Sequence, residues 1–506
     1  MFSMIDDFLN QTTMYRLLLY YLGGLIVIAA GFSAVGILPY NSSYLLASAV
    51  FLVAICWLFN AFVARLWRVP TNAESSVISG LILSLIIAPD KPYIALPFLL
   101  WAAFFAIASK YMLAIRGKHV FNPAALGVAA TALFMGHSAT WWIGGNVPML
   151  PFVLVGGFLI VRKIRRTDLV LAFLASALLS TLAPIILSGG AIIAASSTFI
   201  IHTPLFFFAF VMITEPMTTP PRRLGRILYG SLVGFLFAPW VNIFSYYFTP
   251  ELALLAGNIF SFLISPKFKA ILRLKDIQQI ATDTYEFAFT GRLPVFQPGQ
   301  YAEWTLAAHS SDSRGNRRYF TLASSPTEED VKLGVKFYTH PSTFKFNLAG
   351  LKMGSVVLAG SIAGDFTLPR RAKRKLVFIA GGIGVTPFRS IVKYLLDKRE
   401  HRDIVLFYSN KTQGEIAYRD LFDAAQAAGI GFKAVYTLTD KIVLSTWTGN
   451  RGYVNAAMIA REAPDYKDRY FFISGPRSMV VAFQKTLHEM GVPRRRIKVD
   501  FFPGFA

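Results

Sequence analysis

Hydrophobic residues run almost without interruption through the first 265 positions, and only short polar breaks separate the runs. About 20 apolar residues are needed to cross the hydrocarbon core of a bilayer, so this pattern predicts a polytopic α-helical membrane domain. Ten spans are predicted, at 15–37, 44–64, 75–89, 93–113, 121–136, 146–161, 168–187, 198–214, 224–248 and 251–265.

Basic residues alternate between the two sides of the predicted membrane. Loops 162–166 and 222–226 are rich in arginine, whereas loops 136–142 and 188–197 contain no Lys or Arg. The positive-inside rule therefore predicts a multi-pass protein of the cytoplasmic (inner) membrane, with both termini in the cytoplasm.

The ten predicted spans divide into two sets of five, and a repeat of five spans must be inverted in the membrane. The short third and eighth spans, which end in "IIAPD" and "MITEPMTTPP", occupy corresponding places, as do Asn122 and Asn258. Short, Pro-interrupted spans in matching positions indicate a site formed by broken helices. Ordinary short spans in a helical bundle are the alternative.

The pattern changes at residue 269, where charged residues become regular and apolar residues begin to alternate with polar ones. Segments such as "TYEFAFTG" and "YAEWTLAAH" predict an antiparallel β-barrel. From Leu376 onward, strand-like and helix-like segments alternate, which predicts a parallel α/β sheet. We therefore predict three domains: a transmembrane domain at 1–265, a barrel domain at 269–370 and a nucleotide-binding domain at 371–506.

The composition excludes some chemistry. The chain has 506 residues, 54% of them hydrophobic, and its mean hydropathy is +0.49. The formal net charge of +22 is attributed to membrane topology and anionic cofactors, and no nucleic acid is expected as a partner. Cys56 is the single cysteine, so this chain alone can form neither an intrachain disulfide nor a cysteine-ligated iron–sulfur cluster. No metal site is predicted.

The segment "RRYFTLASS" has a spacing suited to flavin chemistry. Arg318, Phe320, Thr321 and Ser324 fit the pattern Arg-x-Tyr/Phe-Ser/Thr-x-x-Ser. In this pattern the chain resembles the ferredoxin–NADP reductase superfamily. The resemblance implies that Arg318 binds the FAD pyrophosphate, that Phe320 packs on the isoalloxazine, and that the Thr321 hydroxyl bonds near flavin N5.

A second segment, "HPSTFKFNLAGLKMGSVVLAGSIAGDFTLP", resembles the next flavin-binding stretch of that superfamily. Ser342 and Thr343 would open a helix whose N–H groups face a phosphate. The turn "AGDFTLP" corresponds to the superfamily's Gly-x-Phe turn before the nucleotide domain.

The glycine-rich stretch "AGGIGVTPF" predicts the nicotinamide-nucleotide half. Gly381, Gly382 and Gly384 allow close approach of the backbone to a pyrophosphate, and Thr386 and Pro387 begin the following helix.

Near the C-terminus, "SGPRSM" supplies Ser474, Gly475, Pro476 and Met479, which resemble the superfamily's Cys-Gly-Pro-x-x-Met motif with serine in place of cysteine. Hydride transfer near Ser474 is the implied chemistry. The chain ends in "DFFPGFA", and superfamily members often place a terminal aromatic on the flavin. Phe505, or Phe502, is the candidate here, with core packing as the alternative.

The membrane half resembles the NqrB/RnfD membrane subunits of the sodium-pumping quinone reductase and the Rnf complex. The similar segments are "SSVISGLILSLIIAPD", "ASKYMLAIRGKHVFNPAALG" and "MITEPMTTPPRRLGRILYG". The resemblance implies two inverted halves that hold flavins, and it assigns Asn122, Thr214 and Glu215 to helix breaks.

A covalently bound flavin is a further possibility that the resemblance raises. "GHSATWW" is similar to the Ser-Gly-Ala-Thr motif that carries the flavin phosphoester, and Thr140 would be the attachment point. A non-covalent FMN or riboflavin stacked on Trp141 or Trp142 is the alternative, and an interfacial aromatic anchor is another.

Together these features predict a transmembrane oxidoreductase. It would pass electrons from cytoplasmic NAD(P)H through FAD and a membrane flavin to an extracytoplasmic acceptor, such as a flavoprotein. Quinone reduction in the membrane and redox-driven ion transport are the alternatives. A haem-based ferric reductase needs paired mid-membrane histidines, and His119, His137 and His202 all lie near span ends. The choice between NADH and NADPH stays open.

Overall fold

The computed structural model describes residues 9, 12–67, 73–115, 118–243, 246–264, 269–306, 316–339, 341–440 and 447–502. The chain divides into two compact units, Met1–Phe268 and Lys269–Ala506. Each unit has its own hydrophobic core.

The first unit is helical. Its helices are α1 Met14–Ala34, α2 Ser42–Trp67, α3 Ala73–Ile86, α4 Pro92–Met112, α5 Pro123–Met135, α6 Leu150–Ile164, α7 Thr167–Leu187, α8 Ile192–His202, α9 Leu205–Phe207, α10 Arg223–Leu236 and α11 Pro250–Ile264. A π-helical turn, Phe208–Met212, continues α9. Two-residue strands form one hairpin before α5, β1 Ala114–Ile115 with β2 Lys118–His119, and another before α11, β3 Asn242–Ile243 with β4 Tyr246–Tyr247.

Helices occur at all ten places where a span is predicted, if α8 and α9 are taken as one broken segment. Within the described residues, five apolar helices are long enough to cross a membrane, and the bent pair, with a 59° angle, makes a possible sixth. Helices α3, α5 and α11 are apolar but shorter. The fold therefore supports several apolar helices in this half, whereas ten complete spans are not confirmed.

Proline and glycine account for the short helices. Pro204 lies at the break between α8 and α9, and Pro123 begins α5 behind the N-cap Asn122. Gly136 ends α5 with a left-handed φ of 68°. Because proline removes a backbone donor and glycine readily adopts positive φ, these residues fix the helix ends by local chemistry.

Large apolar side chains project outward from the helices of this unit. Val27, Phe62, Leu133 and Leu179 are all more than 60% exposed. Soluble proteins rarely expose extended apolar surface of this kind, so the surface is compatible with contact to lipid.

The second unit begins with a six-stranded antiparallel sheet. The elements are β5 Lys269–Ala281, β6 Thr284–Thr290, β7 Tyr301–Leu306, β8 Arg317–Thr321, β9 Val331–Lys336, α12 Thr343–Ala349 and β10 Val356–Ala363. The strand order is β8-β7-β10-β5-β6-β9. The predicted antiparallel strands are confirmed as a sheet whose order ends at β8 and β9.

A parallel sheet follows. Its elements are β11 Leu376–Gly381, α13 Thr386–Lys398, β12 Ile404–Asn410, α14 Arg419–Ala427, β13 Phe432–Leu438, β14 Asn450–Arg451, α15 Ala456–Glu462, β15 Tyr470–Pro476, α16 Arg477–Glu489 and β16 Ile497–Phe502. The order is β14-β13-β12-β11-β15-β16, and all the pairings are parallel. The predicted parallel sheet is thus confirmed.

The chain runs outward from β11 to β13 and then returns to β15 on the other side of β11. This reversal makes the carboxyl ends of β11 and β15 a topological switch point, where open α/β sheets bind their ligands.

Candidate functional site

Strand β8 ends in a buried hydroxyl group. Thr321 pairs with Tyr301 of β7, and its side chain is 3% exposed. Its Oγ1 has no hydrogen-bond partner among the described residues. A buried polar atom is costly to leave unpaired, so this hydroxyl is suited to a ligand that is not part of the chain.

The start of α12 lies beside β8. The Phe344 ring is 5.6 Å from the Phe320 ring, and the Arg318 guanidinium carbon is 5.5 Å from the Phe344 ring. Ser342 is the N-cap of α12, where its hydroxyl accepts a 3.4 Å hydrogen bond from the Lys345 N–H. Thr343 is the first residue of this seven-residue helix. The fold therefore brings the two predicted flavin segments together.

Glycine is required at the turn after β11 because another backbone fills the space. A Cβ at Gly384 would lie 2.5 Å from the carbonyl oxygen of Ser474 and 2.6 Å from Cα of Gly475. At Gly381 a Cβ would overlap the Sδ of Met479. Gly382 has a φ of +52° and open space around it.

The two nucleotide-binding motifs meet at the switch point. Ala380 of β11 pairs with Ser474 of β15. The Ser474 hydroxyl is fully buried, and the part of the chain that the structure describes offers it no hydrogen-bond partner. Thr386 and Pro387 begin α13 as predicted, and the Thr386 hydroxyl donates a 3.2 Å bond to the Ile383 carbonyl.

Helix α13 also binds the segment that follows β8. Arg389 donates a 3.0 Å hydrogen bond to the Ala323 carbonyl, and Ser390 donates a 2.7 Å bond to the Ser324 carbonyl. The Ser324 hydroxyl accepts a 3.0 Å bond from the Lys332 N–H, so this side chain is already engaged within the protein. The segments predicted for flavin and for nicotinamide are thus joined directly.

Arg389 is fixed by an acidic partner. Its Nη2 donates a 2.9 Å hydrogen bond to Glu328, and both side chains are largely buried. Burial alone would raise the pKa of Glu328, but the hydrogen bond and charge of Arg389, with the Ser325 N–H, lower that pKa overall. This ion pair was not predicted from the sequence, although an arginine on the apolar face of α13 indicates that a buried acidic partner is needed.

In the helical unit, a cavity brings together three of the predicted membrane residues. Asn122, Thr214 and Glu215 line it, with Lys110 among the other lining residues. The enclosed cavity volume is only about 50 Å³, well below the roughly 300–1,000 Å³ of typical small-molecule sites.

His119 and Lys110 were not predicted from the sequence as partners of this cavity. Glu215 lies 3.1 Å from His119, and the Lys110 ammonium donates a 2.9 Å bond to the Ser75 carbonyl. The Asn122 N–H donates a 2.8 Å bond to the Asn258 side chain, which joins the two halves of the unit.

The structure does not bring Thr140 and Trp141 to this cavity. They follow the far end of α5, a helix of 13 residues, or about 20 Å, whose N-cap is Asn122. Their backbone N–H groups bond to the Ile86 carbonyl. Thr140 is exposed as a residue, but its hydroxyl donates a 3.2 Å hydrogen bond to the Ile86 carbonyl.

Trp141 is buried, with a left-handed φ of 52°. Its indole N–H donates a 2.9 Å bond to Glu251, and its ring lies 5.6 Å from the Phe208 ring. The ring therefore packs inside the protein, and stacking of Trp141 on a flavin stays a prediction. Phe505 lies outside the described residues.

The fold and these contacts define a two-part nucleotide-binding reductase unit, and known proteins are similar to it. Residues 378–485 match the family model described as the oxidoreductase NAD-binding domain. This segment contains both glycine motifs that meet at the switch point.

The stachydrine N-demethylase reductase subunit of Rhizobium meliloti (strain 1021) is 25% identical over 242 residues, which cover 47% of this chain and 67% of that protein. One component of the Na(+)-translocating NADH-quinone reductase of Methylococcus capsulatus is 28% identical over 222 residues, 40% of this chain and 53% of that protein. The crystal structure of the Amycolatopsis cytochrome P450 reductase GcoB covers 47% of this chain and 72% of that chain, with 23% identity and a TM-score of 0.42.

The chain spans about half to two thirds of the length of the curated relatives it matches. Residues 378–485 are thus similar to an oxidoreductase NAD-binding domain, and the C-terminal half is similar to reductase subunits of other proteins. These relatives and the matched family model are those of oxidoreductases.

Proposed function

We propose that this chain passes electrons from cytoplasmic NAD(P)H through FAD and a membrane-bound FMN or riboflavin to an extracytoplasmic acceptor. The observation that carries the proposal is the direct bonding of α13 to the end of the flavin segment, through Arg389 and Ser390. This bonding holds the predicted flavin and nicotinamide positions in one reductase unit.

The predicted flavin-binding residues of β8 and α12 fit FAD. Arg318 would bind pyrophosphate, and the N–H groups behind Ser342 and Thr343 would assist. Phe320 would pack on the ring, and the unpartnered Thr321 hydroxyl would bond near its reactive nitrogen. FAD, when bound, would accept a hydride and release electrons singly.

The residues at the switch point fit a nicotinamide nucleotide. Gly382, with open space around it, leaves room for a pyrophosphate near the start of α13, whereas the absence of a side chain at Gly384 and Gly381 makes room for β15 and Met479. The Ser474 hydroxyl, together with Gly475, Pro476 and Met479, would position the nicotinamide. Thr321, Ser474 and Phe505 are the residues proposed to touch the reacting atoms.

Residues 1–265 are proposed to form an NqrB/RnfD-like membrane domain of ten spans in two inverted halves. The exposed apolar side chains and the matching helix positions support this proposal. Asn122, Thr214 and Glu215, which line the cavity, are the residues proposed to contact a non-covalent flavin, and the cavity of about 50 Å³ would have to widen to admit it. Thr140, which is exposed, is the candidate for a covalent one.

The first experiment is an absorbance spectrum of the detergent-purified protein, followed by acid precipitation and analysis of released flavins. FAD together with FMN or riboflavin, without a Soret band, supports the proposal. FAD alone contradicts a membrane flavin. NAD(P)H-driven reduction of ferricyanide sealed on the opposite side of a proteoliposome membrane then tests electron transfer across the bilayer.

Redox-driven ion transport is a second candidate, because Lys110, His119 and Glu215 place ionisable groups around the cavity. The similarity to a component of a Na(+)-translocating reductase also favours it. Sodium-dependent turnover in proteoliposomes would support transport, and sodium-independent turnover with electron crossing would exclude it. Turnover with added quinone and no crossing would instead indicate reduction of quinone within the membrane.

A further inference from the structure

Two arginine-rich segments that lie far apart in the sequence meet at one edge of the parallel sheet. Residues 370–375 lead into β11, and residues 494–496 lead into β16. The guanidinium carbons of Arg374 and Arg496 lie 4.6 and 5.8 Å from the Tyr470 ring centre. Tyr470 begins β15, which lies between β11 and β16. The two segments therefore flank one strand.

Several cations here face solvent without an acidic partner. We call them the basic cluster: Arg370, Arg371, Lys373, Arg494 and Arg495, all exposed and without a salt bridge to any residue that the structure describes. The neighbouring acids are already engaged, since Asp403 and Asp465 bind Arg469, and Asp468 lies 3.6 Å from Arg496.

The basic cluster lies away from the nucleotide site. Parallel strands begin at one edge of the sheet and end at the other, and the glycine motifs occupy the carboxyl ends. Strands of six or seven residues separate the edges by about 20 Å. The cluster is therefore not needed to bind nucleotide phosphates, and its like charges repel one another unless an anionic surface approaches.

The rest of the chain indicates which surface that is. Four residues, 265–268, connect the last apolar helix, α11, to the first strand of the reductase unit. The cytoplasmic leaflet carries anionic lipids that attract basic segments close to membrane-embedded helices. Binding of an acidic protein partner gives no reason for so short a connection between the last apolar helix and the reductase unit.

We propose that the basic cluster docks the reductase unit on anionic lipid headgroups. The docking rests on the membrane location in the proposed function. It adds an electrostatic contact that depends on lipid composition, and it leaves the cofactor-binding residues unchanged.

The test uses the full-length protein with one fluorophore beside the cluster. Ala372, exposed between Arg371 and Lys373, is replaced by cysteine and labelled, and buried Cys56 is replaced by alanine. The protein is reconstituted into vesicles of phosphatidylcholine, alone or mixed with phosphatidylglycerol at about two to one. Both contain lipids with a quencher on the headgroup.

We expect strong quenching in the phosphatidylglycerol vesicles and weak quenching in phosphatidylcholine alone. Quenching should fall in about 1 M salt, where the Debye length is about 3 Å. The triple variant R370Q/R371Q/K373Q should weaken docking roughly 100-fold, because each Lys or Arg near an anionic surface contributes about fivefold.

The matched control is R292Q/K352Q/K398Q, which removes three exposed cations from scattered positions outside the cluster. This variant should dock like the parent. Equal quenching in both lipids, or equal losses in the two triple variants, would overturn the proposal.

NADH–ferricyanide turnover in the same vesicles separates the two proposals. Normal turnover with lipid-independent quenching refutes docking alone. Lipid-dependent quenching without turnover in any variant refutes the reductase function while docking stands. Failure of the protein to float with vesicles of either lipid refutes the membrane location, and docking with it.

Discussion

Replacement of Gly384 by alanine tests the nucleotide site most directly, because the added methyl group meets three main-chain atoms of β15. The Cβ would lie 2.5, 2.6 and 2.7 Å from the Ser474 carbonyl oxygen and from Cα and N of Gly475. Ordinary van der Waals contact begins at 3.4 Å, so β15 must move by about 0.9 Å from the turn.

This movement affects catalysis more than stability. Overpacking of this kind typically costs about 1–3 kcal/mol, which a unit of this size tolerates. A misplacement of about 1 Å near reacting groups can cost about 100-fold in rate. We therefore expect G384A to fold and to lose about 10–100-fold in kcat/KM for NAD(P)H, measured by reduction of ferricyanide.

Gly381 provides the matched comparison, because there the methyl group would meet the flexible end of Met479. G381A should melt at a lower temperature than wild type. The double variant G381A/M479A should recover part of that loss, because removing the Met479 side chain restores the packing. No truncation of Met479 should rescue G384A. Wild-type kcat/KM in G384A would refute the close approach of the two motifs.

Three further changes test other contacts. T321V should leave the flavin-free protein at least as stable as wild type, because an unpartnered buried hydroxyl costs about 1–3 kcal/mol. T321V should also reduce the rise in melting temperature on FAD addition, and an undiminished rise would contradict a role for this hydroxyl. The pKa of Glu328 is lower in the folded protein than in the unfolded chain. Its ion pair with Arg389 therefore stabilises the fold fully above the unfolded pKa, and this stabilisation is lost as the pH falls through the folded pKa. Thermal unfolding of E328Q between about pH 3 and 7 should therefore show a shallower loss toward acid than wild type, and parallel curves would be inconsistent with the pair. W141F should destabilise the helical unit in detergent by about 1–3 kcal/mol because it removes the donor to buried Glu251, and an unchanged melting temperature would count against that bond.

Features set by local pattern were predictable from the sequence. Apolar runs placed a helix at every predicted span, and the change to alternation at 269 marked the start of the antiparallel sheet. Proline and glycine rules explain why Pro123 begins a helix and Gly136 ends one. The glycine motif predicted a close approach at Gly384, but to a pyrophosphate, and the contact with the Ser474–Gly475 backbone was found only in the structure.

Features that depend on distant partners were not predictable in this way. Arg389 and Glu328 lie 61 positions apart, and His119 and Glu215 lie 96 apart, so periodicity gives no signal for either pair. An aromatic residue near a span end reads as an interfacial anchor, and its burial against Glu251 is set by tertiary packing. Span length was overestimated where the break at Pro204 and the turns after α3 and α10 shorten the helices.

The bonds from α13 to the end of the flavin segment have a consequence for protein engineering. A chimera that exchanged residues 371–506 for the corresponding part of another reductase would supply its own residue opposite Glu328. Without an arginine there, a buried carboxylate would lose its counterion and the Ala323 carbonyl would lose its donor. A chimera should therefore exchange the nucleotide domain together with the acidic turn at 325–328, because these two segments are distant in sequence but bond to each other in the fold.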